Sequence, residues 1–198
     1  MTAENVIVTV SQEIVMVAGR YRFRATEDRV PKGDPAYLPF NAWIDLPIPV
    51  PDTTRINEHL AIELVPELRL GQDTIKGRTG SQFTSLPSIE GVKFAAATFW
   101  LRPNTVEFEV TIRYHQPVIN RDGRLWAYYI PLLPNFEANK RLYGLKKESY
   151  VVSFEAHLGT TLKLHTKHAR VLQSSPKLVS LQVMHRELLE VEIIPTQP

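Results

Sequence analysis

The most constraining feature of this sequence is a run of alternating apolar and polar residues in its second half. The apolar positions are Val106, Phe108, Val110, Ile112 and Tyr114, and the polar positions are Glu107, Glu109, Thr111, Arg113 and His115. A period of two places alternate side chains on opposite faces of an extended chain. The run therefore predicts a β-strand with one buried face, at the centre of a β-sheet protein.

A turn signal follows this strand and predicts a long hairpin between Thr105 and Leu133. The segment Asn120-Arg121-Asp122-Gly123 combines a glycine that tolerates a positive φ with an aspartate that can bond the local backbone. The return run is apolar on both faces, as expected of a strand covered on both sides. Upstream, Val92–Leu101 is a mostly apolar strand joined to the hairpin by a short turn. The three strands together predict a meander.

The rest of the chain repeats short alternating runs separated by turn residues, which predicts an all-β protein. The simplest architecture is an antiparallel two-sheet β-sandwich, immunoglobulin-like or jelly-roll-like, in which residues 1–198 form a single domain. One short helix is predicted at 136–143, where Asn135 is a suitable N-cap and Gly144 a suitable C-terminal residue. The segment Gly71–Gly80 is polar and rich in glycine, which predicts a mobile loop.

Composition narrows the possible partners. Cysteine is absent from the 198 residues, so disulfides, thiolate metal sites and cysteine nucleophiles are excluded. The 23 basic and 21 acidic residues nearly balance, which argues against nucleic acid and against anionic membranes. The apolar runs are too short for an integral membrane segment. No signal peptide is visible, so the chain is expected to be cytoplasmic as it stands, or secreted or periplasmic if a signal peptide has been removed.

A row of arginines forms the first group of candidate ligand-binding residues. Arg20, Arg22 and Arg24 alternate with inward-facing residues, so they share the outer face of one strand. Guanidinium groups can bind phosphate or sulfate through paired N–H donors. The alternative is a charged sheet face that resists edge-to-edge association. The alternative is the more common outcome for such a pattern.

Two carboxylates form the second group. Glu107 and Glu109 share one strand face, and two residues along a strand separate them by roughly 6.5–7 Å. That spacing is compatible with the paired carboxylates of a glycoside hydrolase. The same face carries Thr111, Arg113 and His115, however, which is typical of a solvated or ion-paired face. Burial, which would be needed to perturb a catalytic carboxylate, is not indicated.

Aromatic residues form the third group: Trp43, Trp100, Trp126, Tyr128 and Tyr129. Amphipathic rings suit a pocket for a sugar or a lipid, with Trp126 and Tyr129 as the candidate ligand-binding members. Their strands have the strongest burial signal, which favours a role in the core. An exposed ring among them would favour the ligand site instead.

No motif for nucleophilic catalysis, phosphate binding or dinucleotide binding occurs, so no cofactor is predicted. His165 and His168 fall in a strand-turn-strand pattern that does not indicate a metal site. The leading hypothesis is a non-enzymatic binding or assembly module that contacts a protein or a glycan. The sequence is also compatible with a homo-oligomer. The alternatives are a carbohydrate-active hydrolase using the paired carboxylates, and a carrier of an apolar ligand.

Overall fold

The structure is a computed structural model that describes residues 1–24, 42–55, 67–82, 89–103, 105, 107–132, 150–184 and 186–196. These ranges contain fifteen β-strands and no helix, which confirms the all-β prediction. The helix predicted at 136–143 lies outside the described residues. Within the same ranges, no helix has the length and apolar character needed to cross a membrane.

The strands form three hydrogen-bonded sheets, whereas the sequence predicted two. Their bounds are β1 Ala3–Val10, β2 Ile14–Arg24, β3 Ala42–Pro51, β4 Glu67–Leu70, β5 Asp73–Lys76, β6 Arg78–Gln82, β7 Val92–Leu101, β8 Glu107–Pro117, β9 Ile119–Arg121, β10 Arg124–Tyr129, β11 Tyr150–Ala156, β12 Thr160–Leu164, β13 Arg170–Ser174, β14 Leu178–Gln182 and β15 Leu189–Pro195. The eight-stranded sheet has the order β13-β14-β11-β1-β2-β8-β4-β5, the four-stranded sheet β12-β15-β10-β9, and the three-stranded sheet β3-β7-β6.

The strand predicted from the alternating run is β8, and its two faces are as predicted. Val110, Ile112 and Tyr114 are buried, whereas Glu109 and Arg113 are exposed. β8 pairs antiparallel with β2 along its whole length, and its other edge pairs with β4. β8 is therefore an interior strand of the eight-stranded sheet, and its outer face is exposed to solvent.

The predicted meander is wrong, because consecutive strands here belong to different sheets. β7 pairs with β3 and β6, and β10 pairs with β9 and β15, so neither lies beside β8. β8 ends at Pro117, which cannot donate a ladder hydrogen bond. β10 also needs apolar cover on both faces: Ala127 and Tyr129 lie in the main core, and Trp126 and Tyr128 lie in a second cluster. A place beside the half-exposed β8 would not cover both faces.

The segment Gly71–Gly80, predicted as a mobile loop, contains β5 and the start of β6 instead. Gly71 has φ +61° in the two-residue turn between β4 and β5, which explains the glycine there. Gly77 separates β5 from β6, and a Cβ at this position would lie 2.9 Å from Cζ of Phe99. The glycines therefore mark a turn and a close contact between strands.

One apolar cluster joins all three sheets. The eight-stranded sheet contributes Val6, Val8, Val17, Tyr21, Leu68, Val110, Ile112, Val152 and Phe154. The smaller sheets contribute Ile44, Leu46, Ala97, Phe99, Ala127, Tyr129, Val191 and Ile193. A second cluster lies on the other face of β10 and includes Phe94, Ile119, Trp126 and Tyr128.

The turn between β9 and β10 gives a first testable prediction. Asp122 (φ 54°) and Gly123 (φ 75°) occupy the two positions of a type I′ turn, and the Gly123 N–H donates to Oδ1 of Asn120 at 3.1 Å. Replacing Gly123 with alanine is expected to lower the free energy of unfolding by about 1–2 kcal/mol, because a Cβ is disfavoured at positive φ. Urea unfolding of this variant beside Arg124→Ala, an exposed position in the adjoining strand, measures the effect. Equal stability of the two variants would contradict the prediction.

Candidate functional site

The predicted arginine row lies on the outer face of the eight-stranded sheet, where it is ion-paired. Nε of Arg22 lies 3.0 Å from Oε2 of Glu109, and Nε of Arg20 lies 3.4 Å from Oε1 of the same residue. Nε of Arg24 lies 3.5 Å from Oε1 of Glu107. The strand register explains these pairs, since Arg22 is directly opposite Glu109 and Arg24 is opposite Glu107.

This pairing bears on the hydrolase hypothesis. The side chains of Glu107 and Glu109 are 72% and 38% exposed. An acid–base pair requires one carboxyl group to retain its proton, usually through burial or through repulsion from its neighbour. Here both carboxylates are exposed to solvent, and each lies beside a guanidinium group. The geometry therefore gives the two glutamates no division into acid and base.

Trp126 is packed rather than open to a ligand. Trp126 belongs to the second apolar cluster and is only 4% exposed. The Cζ atom of Arg121 lies 4.4 Å from the ring centroid, and the ring of His165 meets it edge-on at 4.8 Å. His165 is held in turn by Glu192, whose Oε2 lies 2.9 Å from Nε2. The core role predicted for Trp126 is confirmed.

Tyr129 belongs to a buried polar network that the sequence analysis did not identify. Its hydroxyl donates to Oε1 of Glu4 at 2.7 Å and lies 2.9 Å from the hydroxyl of Tyr21. The backbone N–H of Leu132 donates to the same Glu4 oxygen at 3.2 Å. Burial raises the pKa of Glu4 to about 7, even though the bonds from Tyr129 and Leu132 and the charge of Arg186 act to lower it. The carboxyl group is therefore poised to titrate near neutral pH.

A signal for this network was present in β1. Glu4 has the same parity as Val6, Val8 and Val10, all of which face the core. The alternation therefore placed a carboxyl group on a buried face, which requires a hydrogen-bonding partner. Glu4, Tyr21 and Tyr129 are each at most 1% exposed, so no surface opening brings a substrate to them. The network is internal, and its chemical consequence is for stability.

The open aromatic site is at Trp100. The side chain is 60% exposed, although its strand is mostly apolar, so the expected core position is wrong for this residue. Tyr128 and Tyr129 are buried as predicted, and the side chain of Trp43 lies outside the described part of the structure. Trp100 faces the same side of β7 as Thr98, and Arg102 has the same parity beyond the strand end. Polar neighbours at i−2 and i+2 are a signal for exposure that the apolar run concealed.

Trp100 lines an open cleft of about 670 Å³. β7 and the residue after it supply Trp100, Leu101 and Arg102. The β4–β5 hairpin supplies Leu70, Asp73, Thr74 and Ile75. The cleft thus combines an exposed indole with a carboxylate, a guanidinium group and a hydroxyl group. Such a surface can stack on an apolar ring face and bind hydroxyl groups beside it.

In the described ranges, no group of three or more histidine, aspartate and glutamate side chains is arranged to hold a metal ion. His165 is engaged by Glu192 and Trp126 instead.

Comparison with known proteins adds information about the fold. No protein-family model and no curated protein sequence matches the chain. The chain is similar to the crystal structure of a "putative nutrient binding protein" from Legionella pneumophila subsp. pneumophila str. Philadelphia 1, with 7% sequence identity and a TM-score of 0.50. The similarity covers 98% of this chain and 66% of that one, so the chain spans about two thirds of the length of the Legionella protein. At this identity the likeness concerns the fold alone.

Proposed function

We propose that this protein is a non-enzymatic binding module that recognises carbohydrate, with Trp100 as the platform on which a sugar ring stacks. The observation that carries the proposal is the exposure of this indole, 60%, inside an open cleft. A large aromatic ring is favoured in the interior, so its placement in water beside polar groups is typical of a ligand site.

The lining of the cleft supports a sugar over an apolar ligand. A pyranose ring has an apolar face that stacks on indole and equatorial hydroxyl groups that need donors and acceptors. Asp73 can accept hydrogen bonds, Arg102 can donate them, and Thr74 can do both. A carrier of an apolar ligand would instead require an enclosed apolar cavity, whereas this cleft is open to solvent and partly polar.

A binding role also agrees with the name of the Legionella protein, whose fold resembles this one. The hydrolase alternative receives less support, because Glu107 and Glu109 are exposed and ion-paired. We further propose a single domain with sandwich-like layering. The eight-stranded sheet would form one layer, and the four- and three-stranded sheets together would form the other. The shared apolar cluster supports this arrangement.

Replacing Trp100 with alanine tests the proposal. Immobilised neutral oligosaccharides identify a binding sugar, and calorimetry then measures its Kd with each variant. Removal of the platform is expected to cost about 2 kcal/mol or more of binding free energy, which is roughly thirtyfold in Kd. Trp100→Phe, which retains an aromatic face, is expected to keep part of the affinity.

Leu172→Ala is the matched control, because Leu172 is another large exposed apolar residue, 50% exposed on the edge strand β13. Its affinity for the sugar should equal that of the natural protein. If no oligosaccharide binds, or if Trp100→Ala binds as tightly as the control, the carbohydrate function is wrong.

A further inference from the structure

We propose that the outer face of the eight-stranded sheet carries a second site, which binds an oxyanion group (sulfate, phosphate or carboxylate) between Arg20, Arg69 and Arg113. A hollow of about 290 Å³ lies at this position, and all three arginines line it. The site is distinct from the Trp100 cleft. Arg69 belongs to the outer face of β4, whereas the adjacent Leu70 lines the cleft.

The strand register explains why a hollow forms. Arg20 on β2, Thr111 on β8 and Arg69 on β4 are aligned across the sheet. Adjacent strands are about 4.8 Å apart, so the two arginines flank the small Thr111 with about 10 Å between their Cα atoms. In the next row along the strands, the small Ala18 lies beside Arg113. Small side chains form the floor, and long cationic side chains form the wall.

The charges of the hollow are poorly compensated. Arg69 and Arg113 have no ion-pair partner within 4.0 Å among the residues the structure describes, unlike Arg22 and Arg24 on the same face. Nε of Arg20 lies 3.4 Å from Oε1 of Glu109, in a pair whose side chains are 64% and 38% exposed. The carboxylate in the lining is Glu67, directly opposite Arg113 in the register. The lining therefore has an excess of positive charge.

Guanidinium groups around a small hollow select oxyanions by both charge and shape. Each planar fork can donate two parallel hydrogen bonds to a sulfate, phosphate or carboxylate group. The overall charge of the chain is only +2, so the attraction is local to this hollow and does not extend over the surface. A single oxyanion group, free or carried on a larger molecule, fits this volume and charge.

Calorimetric titration of the full chain with sodium sulfate, sodium phosphate and sodium acetate tests the site, at low ionic strength to limit screening. Saturable one-site binding is expected for at least one of these anions. Arg69→Gln and Arg113→Gln are each expected to weaken it about tenfold or more, since each removes charge-assisted hydrogen bonds. Glu67→Gln is expected to strengthen it, because it removes the competing carboxylate.

Arg24→Gln is the matched control, since it removes the same charge from the same strand face outside the hollow. Circular dichroism confirms that each variant is folded. A sulfated monosaccharide titrated beside its unsulfated parent distinguishes a sugar-borne group from a free ion. The absence of saturable binding, or equal weakening by Arg24→Gln and Arg69→Gln, would overturn the proposal. Because Trp100 lies outside the hollow, Trp100→Ala should leave anion binding intact even if the carbohydrate function fails.

Discussion

Replacing Gly19 with alanine is expected to lower the free energy of unfolding by about 2–4 kcal/mol, through overpacking and the loss of a buried hydrogen bond. Gly19 lies on the inner side of β2, and the ring of Tyr21 folds over it. A Cβ at position 19 would lie 2.3 Å from the Tyr21 hydroxyl oxygen and 2.5 Å from Cε2. The ring would therefore have to move.

Movement of this ring is costly, because Tyr21 is fully buried and its hydroxyl lies 2.9 Å from that of Tyr129. Displacing it would break that bond and disturb the contact between Tyr129 and Glu4. The glycine is thus a packing requirement of the polar network.

A double-mutant cycle separates this cause from a general effect of the substitution. Gly19→Ala is introduced into the natural protein and into a Tyr21→Leu variant, and urea unfolding gives the four free energies. With leucine at position 21 the added methyl group no longer meets an aromatic ring. The loss of unfolding free energy caused by Gly19→Ala should therefore be a small fraction of its value in the natural protein. Ala18→Ser, at the adjacent outward-facing position, is the control for a change in this strand. An equal cost in both backgrounds would contradict the packing explanation.

Glu4 is expected to make the protein less stable as the pH rises from about 4.5 to 7. Burial raises the folded-state pKa of this carboxyl group from 4.5 to about 7. Between these values the folded state keeps a proton that the unfolded state has released, so the unfolded state is favoured progressively as the pH rises. Below 4.5 both states are protonated, and above 7 the loss is complete. The total is about 3 kcal/mol, since one pKa unit corresponds to about 1.4 kcal/mol.

Glu4→Gln provides the measurement. Glutamine has the shape of the protonated carboxyl group and can accept the bonds from Tyr129 and Leu132, but it has no proton to release in this range. Subtracting the variant's free energy of unfolding from that of the natural protein at each pH cancels the contributions of the other titrating groups. The difference should move by about 3 kcal/mol in favour of the glutamine variant between pH 4.5 and 8.

Glu13→Gln, at an exposed position in the connection between β1 and β2, is the matched control. The difference in free energy of unfolding between this variant and the natural protein should not change with pH as it does for Glu4→Gln. A difference that stays level with pH for Glu4→Gln would show that the buried carboxyl group does not titrate in this window.

Local patterns predicted many of the strands and several of their buried faces. The alternating run predicted which side of β8 is buried, because a side-chain period of two follows from extended backbone geometry alone. The glycine at position 123 predicted a turn for a similarly local reason, since its φ of 75° is disfavoured for other residues. The all-β class followed from many such signals.

Strand partners and exposure depended on contacts between distant segments. β2 and β8 are separated by most of the first half of the chain, yet they pair over their whole length. Nothing local to β8 distinguished this partner from β10, the nearer candidate in sequence. Likewise, β7 is mostly apolar, but Phe94 packs in the second cluster whereas Trp100 is exposed beyond that cluster.

The two candidate sites also depend on contacts between distant segments of the chain. Arg20, Arg69 and Arg113 come from three strands, and the sequence did not place Arg69 near the others, because the register across β2, β8 and β4 aligns them. Burial raises the pKa of Glu4 against the opposing hydrogen bond from Tyr129, which lies 125 positions away in the sequence. Periodicity along one strand is a local property of the backbone, so it is readable from the sequence. Adjacency between strands, and the access of water to a face, result from how the whole chain packs.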